Sequence, residues 1–475
     1  MIIPVADLPS TGYTSGLALQ ETEVLTSRLA VLSELYLRVP GDDVAGKNDA
    51  VSHKSLLMEC DIRVGPFDIL AEDHYESTTK AVVAWLDSGA RRAILTVDVS
   101  KPDSVRDLAD WTRQLPASRH RLIAAIRAGD LTTGAGSVEE ALSTAMEGLR
   151  PIVGCLQVDF GEDYDLAPKI LAELKTLRGR EGAPDYLEIA FTQRGVDGSP
   201  PAWSPEEIGR LHLDHGVDVQ CPAFLKFPEG VINPPGGTGE TAGAVDAVEA
   251  FLACTRTDRT DELIPTVVCD TTGVALGLVY SNAASIRESL ESGRGVYWSR
   301  SRGTLWRKGD TSGAWQELRG VSLDCDSDAL RFTVRQHGDP PAFCHFNRRN
   351  CWKGDRGLGH LERTLAKRKE EAPEGSYTKR LFEDPELLRN KLVEEAQELA
   401  EASTRKHVAE EAADVTYFTM VRCAAVGVGV EDIEKELDMR SLKLKRRAGN
   451  AKTERIAAGD RILGAGRQTS VAETT

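Results

Sequence analysis

Between Ile69 and Phe224, short β-branched and aliphatic runs alternate with stretches of helical periodicity: RRAILTVDV, PDSVRDLADWTRQL, RLIAAIRA, SVEEALSTAMEGL, PIVGCLQVDF and DLAPKILAELKTL follow one another. Strands that read as continuous apolar runs need cover on both faces, and a strand–helix–strand rhythm supplies it. The region is therefore expected to form a parallel sheet, open or curled into a partial barrel. Asp98 and Asp159 fall near strand ends, where such folds carry chemistry. No His, Lys or Cys accompanies them at a telling spacing, so they read as caps or turns.

The chain has 475 residues, which at about 150 residues per domain allows about three folding units, each with its own core. With 41% hydrophobic and 28% charged residues, wholesale disorder and a fibrous repeat are both excluded. The formal net charge of −16 argues against nucleic-acid and membrane partners, and an anionic substrate needs local cations or metal. No apolar run reaches the roughly 18 residues of a membrane span, and the opening MIIPVADLPSTGY has no basic stretch ahead of a hydrophobic one. A soluble cytoplasmic protein is expected. Of the cysteines, Cys60, Cys155, Cys254 and Cys423 stand singly in apolar surroundings as reduced core thiols. Cys325, Cys344 and Cys351 crowd one stretch beside Asp and His, which points to metal rather than disulfides.

The segment FPEGVINPPGGTGETAG, from Phe227 to Gly243, reads as a loop or linker, since no Lys-Ser or Lys-Thr pair closes it as a phosphate loop. After the helical AVDAVEAFLACTR, the runs IPTVVCD, GVALGLVY, GVYWSRSR, TLWRKG and ALRFTVRQ imply a compact antiparallel or mixed α+β unit. From Gly357 the chain turns helical, with Asp384 and Pro385 marking one helix start. The expected architecture is multidomain. An N-terminal α/β (βα-repeat) domain of unassigned role covers 1–255, a small α+β metal-binding domain 262–356 and an all-α bundle 357–456, with a disordered tail over 457–475.

In VSLDCDSDALRFTV, Asp324, Asp326 and Asp328 alternate at period two, so an extended chain would direct all three carboxylates to one side and Cys325 to the other. Carboxylates suit Mg²⁺ and thiolates Zn²⁺. FCHFNRRNCW adds Cys344 and Cys351, with His345 beside the first. Three thiolates leave one tetrahedral position for water, the pattern of a catalytic zinc site. The same residues also read as an acidic turn followed by core thiols. Arg300, Arg302, Arg307 and Lys308 precede Thr311, Ser312 and Gly313, which read either as a phosphate-holding loop or as a solvated hairpin. Farther on, Lys391, Glu394, Glu395 and Glu398 share one helical stripe, and Glu411 and Asp414 repeat the spacing on the next helix. Two such helices make a Mg²⁺ cage if they face each other, and solvated acidic surfaces if they do not.

The blocks GVYWSRSRGTLWRKGDTSG, LDCDSDAL and CHFNRRNC, in this order and spacing, resemble phosphoribosyl-AMP cyclohydrolase. The resemblance implies zinc on Cys325, Cys344 and Cys351, assembled across a homodimer with Cys325 from one subunit and the other two thiolates from its mate. It further implies Mg²⁺ on Asp324, Asp326 and Asp328. Arg300, Arg302, Lys308, Thr311 and Ser312 then bind substrate, zinc-activated hydroxide opens the adenine ring, and His345 transfers the proton. Asn347 stands where the family often carries Gly, and Asn tolerates left-handed turns.

SYTKRLFED, KLVEEAQELAEA and EEAADVTYF resemble phosphoribosyl-ATP pyrophosphatase. That implies Mg²⁺ on Glu394, Glu395, Glu398, Glu411 and Asp414, with water directed at the anhydride between the α and β phosphates. Glu395 and Glu398 are then the catalytic candidates, and Lys391, Lys379 and Arg380 neutralise phosphate. Together the modules imply two consecutive steps of histidine biosynthesis, with one active module on a scaffold as the alternative. The whole chain is similar to the fungal multifunctional histidine family, strongly from Leu263 to Lys452 and weakly before. Many of those proteins end in a histidinol dehydrogenase. This sequence stops at Thr475, so that activity is not expected.

Overall fold

A computed structural model describes residues 2–7, 31–32, 34–38, 57, 60–68, 75–101, 103–115, 117–133, 136–161, 163–178, 188–192, 203–222, 225–227, 230–231, 245–352, 354–444 and 452–472. The chain divides into two compact units, Met1–Trp352 with Met439–Lys445, and Lys353–Asp438 with Arg446–Thr475.

In the first unit the parallel sheet closes on itself. Strands β1 (Ile2–Asp7), β2 (Leu35–Arg38), β3 (Ile62–Phe67), β4 (Arg92–Thr96), β5 (Leu122–Arg127), β6 (Cys155–Asp159), β7 (Glu188–Thr192) and β8 (Val217–Pro222) form a barrel in chain order, and β1 pairs with both β2 and β8. The βα rhythm noted from Ile69 onward therefore began late, because β1 to β3 precede it. Helices α1 (Tyr75–Ser88), α2 (Ser104–Gln114), α3 (Val138–Leu149), α4 (Ala167–Arg178) and α5 (Pro205–His215) follow strands β3 to β7. Their limits are locally encoded. Ser204 and Glu207 form a reciprocal capping box at the start of α5, Pro205 opens its first turn, and Gly216 ends it at φ 59°. At the N-terminal ends of the strands, Arg63 donates through Nε to Glu34 at 3.0 Å and Arg92 through Nη2 to Glu188 at 3.1 Å. Arg63 is only 3% exposed, so this is a floor of paired charges, at the end of a barrel that carries stability.

The chain continues through a small sheet of β9 (Leu225–Phe227), β10 (Gly230–Val231) and β11 (Val245–Asp246), then α6 (Ala247–Ala253). Most of the Gly- and Pro-rich 227–243 segment lies outside the described residues. Strands β12 (Ile264–Asp270), β13 (Ala275–Ser281), β14 (Val296–Ser299), β15 (Thr304–Arg307), β16 (Gln316–Leu323) and β17 (Leu330–Gln336) follow, with α7 (Ala283–Ser292) between β13 and β14. A four-stranded sheet runs in the order β13-β12-β17-β16, parallel between β12 and β17 and antiparallel elsewhere, and β14 pairs with β15. Barrel and mixed sheet share one hydrophobic core. Leu32, Val219 and Phe251 belong to the same buried cluster as Leu276, Phe332 and Phe343.

The second unit is helical: α8 (Leu358–Glu371), α9 (Tyr377–Glu383), α10 (Pro385–Glu401), α11 (Arg405–Val426), α12 (Val430–Ser441, whose end belongs to the first unit) and α13 (Thr453–Ala472). Leu365, Leu381, Leu388, Phe418 and Val421 form its core. Asp384 caps α10 as expected, accepting from the backbone N–H groups of Glu386 and Leu387 at 3.1 and 2.9 Å. The disordered tail expected over 457–475 is instead helical as far as Ala472. A lack of large apolar residues denies a segment its own core but not a helix, and Ala, Arg and Leu favour one where no Pro interrupts.

Candidate functional site

The loop after β17 carries two of the three clustered thiols. The Cys344 N–H donates to Arg348 O at 3.0 Å and the Asn347 N–H to Cys344 O at 3.0 Å, closing a tight turn. Asn347 sits at φ 54°, the left-handed conformation anticipated for it. The loop's end is stitched to β13 by the Cys351 N–H on Leu276 O at 2.8 Å, and Arg349 is paired with the buried Asp270 at 3.0 Å. Asp270 was not singled out in the sequence. Its signal is the Asp-Thr-Thr-Gly turn, in which one carboxylate oxygen accepts from Thr272 N, Thr272 Oγ1 and Val274 N.

Burial and the adjacent Cys344, which is in hydrogen-bond contact, push the Cys351 thiol up. Cys325 is exposed at the β16–β17 turn, and among the described residues no cluster of three possible ligands includes a cysteine. One chain thus brings together two of the three sulfurs. His345 is exposed and lies against Phe346, ring centroids 4.0 Å apart.

Asp324, Asp326 and Asp328 do converge, their oxygens lying within 4.8 Å of one another, but not along an extended chain. β16 ends at Leu323, and Asp324 Oδ1 accepts from the N–H groups of Asp328 and Ala329 at 3.0 and 3.1 Å. Short Asp side chains bond their own backbone, so the D-x-D-x-D pattern makes a turn in place of the expected strand. The charge of Asp326 pushes the neighbouring Asp328 carboxyl up.

The basic loop separates by role. Arg300 and Arg302 are exposed, Arg300 stacking on Tyr280 at 3.8 Å and Arg302 donating to Ser299 Oγ at 3.2 Å. Thr311 and Ser312 are exposed as well. Lys308, expected on substrate, is buried. It is 5% exposed and its Nζ donates to Ala314 O at 3.1 Å and Ala342 O at 3.0 Å. Its ammonium thus ties the hydroxyl-bearing turn to the cysteine loop.

Gly277 on β13 sets the packing behind that loop. A Cβ there would lie 2.1 Å from the Phe343 ring, which is itself buried next to Cys344. Gly277→Ala is expected to cost about 1–3 kcal/mol by overpacking and to displace Cys344. Thermal melts combined with a thiol-accessibility assay check both.

On the helical unit, Glu395, Glu411 and Asp414 bring oxygens within 4.8 Å of one another across α10 and α11. Glu395 is buried, and Glu411 Oε2 is buried with no hydrogen-bond partner. Glu411 Oε1 faces His407 Nε2 at 3.1 Å, a neighbour readable only from the four-residue step. Desolvation and the charges of Glu395 and Glu411 push Glu398 up, which places it beside the trio. Glu394 turns instead to Lys391, which bonds Glu394 and Glu395 at 2.8 Å each. Burial lowers Lys391, but those two hydrogen bonds outweigh it and hold the ammonium charged. Lys379, on α9, lies 3.9 Å from Glu383. Arg380 shares that helix.

A family model for phosphoribosyl-AMP cyclohydrolase matches residues 277–353, and one for phosphoribosyl-ATP pyrophosphohydrolase matches residues 358–441. Among curated proteins, the chain is similar to the histidine biosynthesis bifunctional protein his7 of Schizosaccharomyces pombe. The two are 50% identical over 391 residues, covering 81% of this chain and 83% of that protein. The histidine biosynthesis trifunctional protein of Neurospora crassa is 54% identical over 213 residues, 45% of this chain and 24% of that one. The histidine biosynthesis bifunctional protein HisIE of Gloeobacter violaceus is 38% identical over 198 residues, 39% of this chain and 89% of that one. The match thus spans about a quarter of the Neurospora crassa and Komagataella pastoris trifunctional relatives, at 24% of each.

Proposed function

The chain belongs to the family of bifunctional histidine-biosynthesis proteins, and from that premise we propose how its residues carry the phosphoribosyl-ATP pyrophosphohydrolase and phosphoribosyl-AMP cyclohydrolase activities. Cys344 and Cys351 hold zinc together with the partner subunit's Cys325. The observation that carries this reading is the contact of two thiols from one chain while the third stays exposed on a separate turn. A homodimer fits the exposed apolar surface near the cysteine loop. Val267 and Leu278 are cross-strand neighbours 36% and 52% exposed, and Phe346 and Trp352 are 67% and 51% exposed.

Bound zinc supplies the Lewis acidity that makes water a nucleophile near neutral pH. The protein's part is to hold the purine and move the proton. Arg300, Arg302, Thr311 and Ser312 engage the substrate phosphate from the surface turns, and His345 exchanges a proton at the ring nitrogen released on opening. Asp324, Asp326 and Asp328 take Mg²⁺, a fit supported by the mutual repulsion that raises Asp328.

In the helical unit, Glu395, Glu398, Glu411 and Asp414 hold Mg²⁺, and the partnerless Glu411 Oε2 is the donor most in need of it. Magnesium supplies positive charge for the anhydride oxygens. Glu395 and Glu398 orient the attacking water, and Lys391 balances the carboxylates. Glu394 is bound to Lys391 and contributes charge balance. No single helix among the described residues is long and apolar enough to cross a membrane, and no disulfide joins the described cysteines. A reducing cytosol suits such thiols.

The test is stepwise metal loading. Stripped of metal and given phosphoribosyl-ATP with Mg²⁺ alone, the enzyme should release pyrophosphate and accumulate phosphoribosyl-AMP. Added zinc should then carry that product to the ring-opened form. Ring opening by a preparation shown to be zinc-free would overturn the assignment.

A further inference from the structure

The turn that carries Cys325 and the three aspartates has one buried member, Ser327, 3% exposed and held at φ 65°. A left-handed non-glycine residue is costly unless its surroundings fix it. Those surroundings belong to the N-terminal barrel region. His212, on α5, places Nε2 2.9 Å from Ser327 Oγ and Nδ1 3.1 Å from Asp218 Oδ1, on β8. Arg256, just beyond α6, donates its backbone N–H to Ser327 O at 2.9 Å, and its guanidinium lies 3.3 Å from Asp326 Oδ2.

The Asp–His–Ser line has the order of a hydrolytic triad, but a serine at 3% exposure is closed to any substrate. What the line does is fix a turn. We propose that the barrel is a positioning scaffold for ring opening: Asp218 orients His212, and His212 with Arg256 locks Ser327 so that the acidic turn presents its carboxylates and Cys325 in one geometry. The residues flanking Ser327 are exposed or half-buried, and Asp326 is held on Arg256. Because ligand geometry within fractions of an ångström sets the rate, loosening this anchor acts on kcat more than on KM.

The inference rests on the assignment of the acidic turn to the cyclohydrolase. In the full chain, His212→Ala should lower the ring-opening kcat roughly tenfold with little change in KM, and leave pyrophosphate release from phosphoribosyl-ATP unchanged. Ser327→Ala, which removes one hydroxyl, should give a similar loss, and the double variant should be no worse than either single one. His212→Gln, which keeps a hydrogen-bonding side chain next to Ser327 Oγ, should recover most of the rate. Wild-type ring opening in His212→Ala, or losses that multiply in the double variant, overturns the relay alone. A wild-type chain without ring-opening activity overturns the turn's assignment and the relay with it. If His212→Ala fails to fold, Ser327→Ala and its kcat decide the matter by the same criterion.

Discussion

Cys344→Ser is expected to abolish ring opening of phosphoribosyl-AMP, by about 10³-fold or more, while pyrophosphate release from phosphoribosyl-ATP stays within about twofold. The substitution nearly conserves volume, and the backbone bonds that shape the turn, Cys344 N–H to Arg348 O and Asn347 N–H to Cys344 O, do not involve the side chain. What it removes is a thiolate. A serine hydroxyl does not ionise in this range and is a poor zinc ligand, so metal content should fall with activity. Given phosphoribosyl-ATP, the variant should stall at phosphoribosyl-AMP, which a chromatographic time course with zinc analysis reads directly. A variant that keeps both zinc and ring opening would remove Cys344 from the site.

Glu411→Gln should do the reverse. Pyrophosphohydrolase activity falls by about 10²–10³-fold, and ring opening of directly supplied phosphoribosyl-AMP continues. The same change should raise the stability of the Mg²⁺-free helical unit. Glu395, Glu411 and Asp414 crowd their oxygens within 4.8 Å, and Glu411 Oε2 has no partner there, so removing one charge relieves repulsion by about 1 kcal/mol. Lost activity with a raised melting temperature separates a spent metal ligand from mere unfolding. If activity and stability fall together, Glu411 is structural.

Features set by neighbouring residues could be read from the sequence. Asp384 caps its helix through bonds to the next turn, Asn347 adopts the left-handed angle its side chain permits, and Glu411 and Asp414 meet because a three-residue step places them on one stripe. Features set at a distance could not. Barrel closure depends on β1 pairing with β8, more than two hundred residues away, and β1 and β2 lie in segments without the βα rhythm that marks the later strands. Lys308 looks like a surface cation until Ala342, thirty-four positions on, supplies the carbonyl that buries it. The aspartate alternation misled for a different reason. Its period matches a strand, but short acidic side chains can bond their own backbone, and here that local competition wins.

The uninterrupted core between barrel and mixed sheet determines where this polypeptide tolerates being cut. The helical unit packs around its own Leu365, Leu388 and Phe418. The barrel has no such separate core, because Leu276, Phe332 and Phe343 are buried in the same cluster as its own walls. Shedding it would leave an oily scar on the remaining sheet. A lineage that lost the barrel's original task would still have reason to keep its shell.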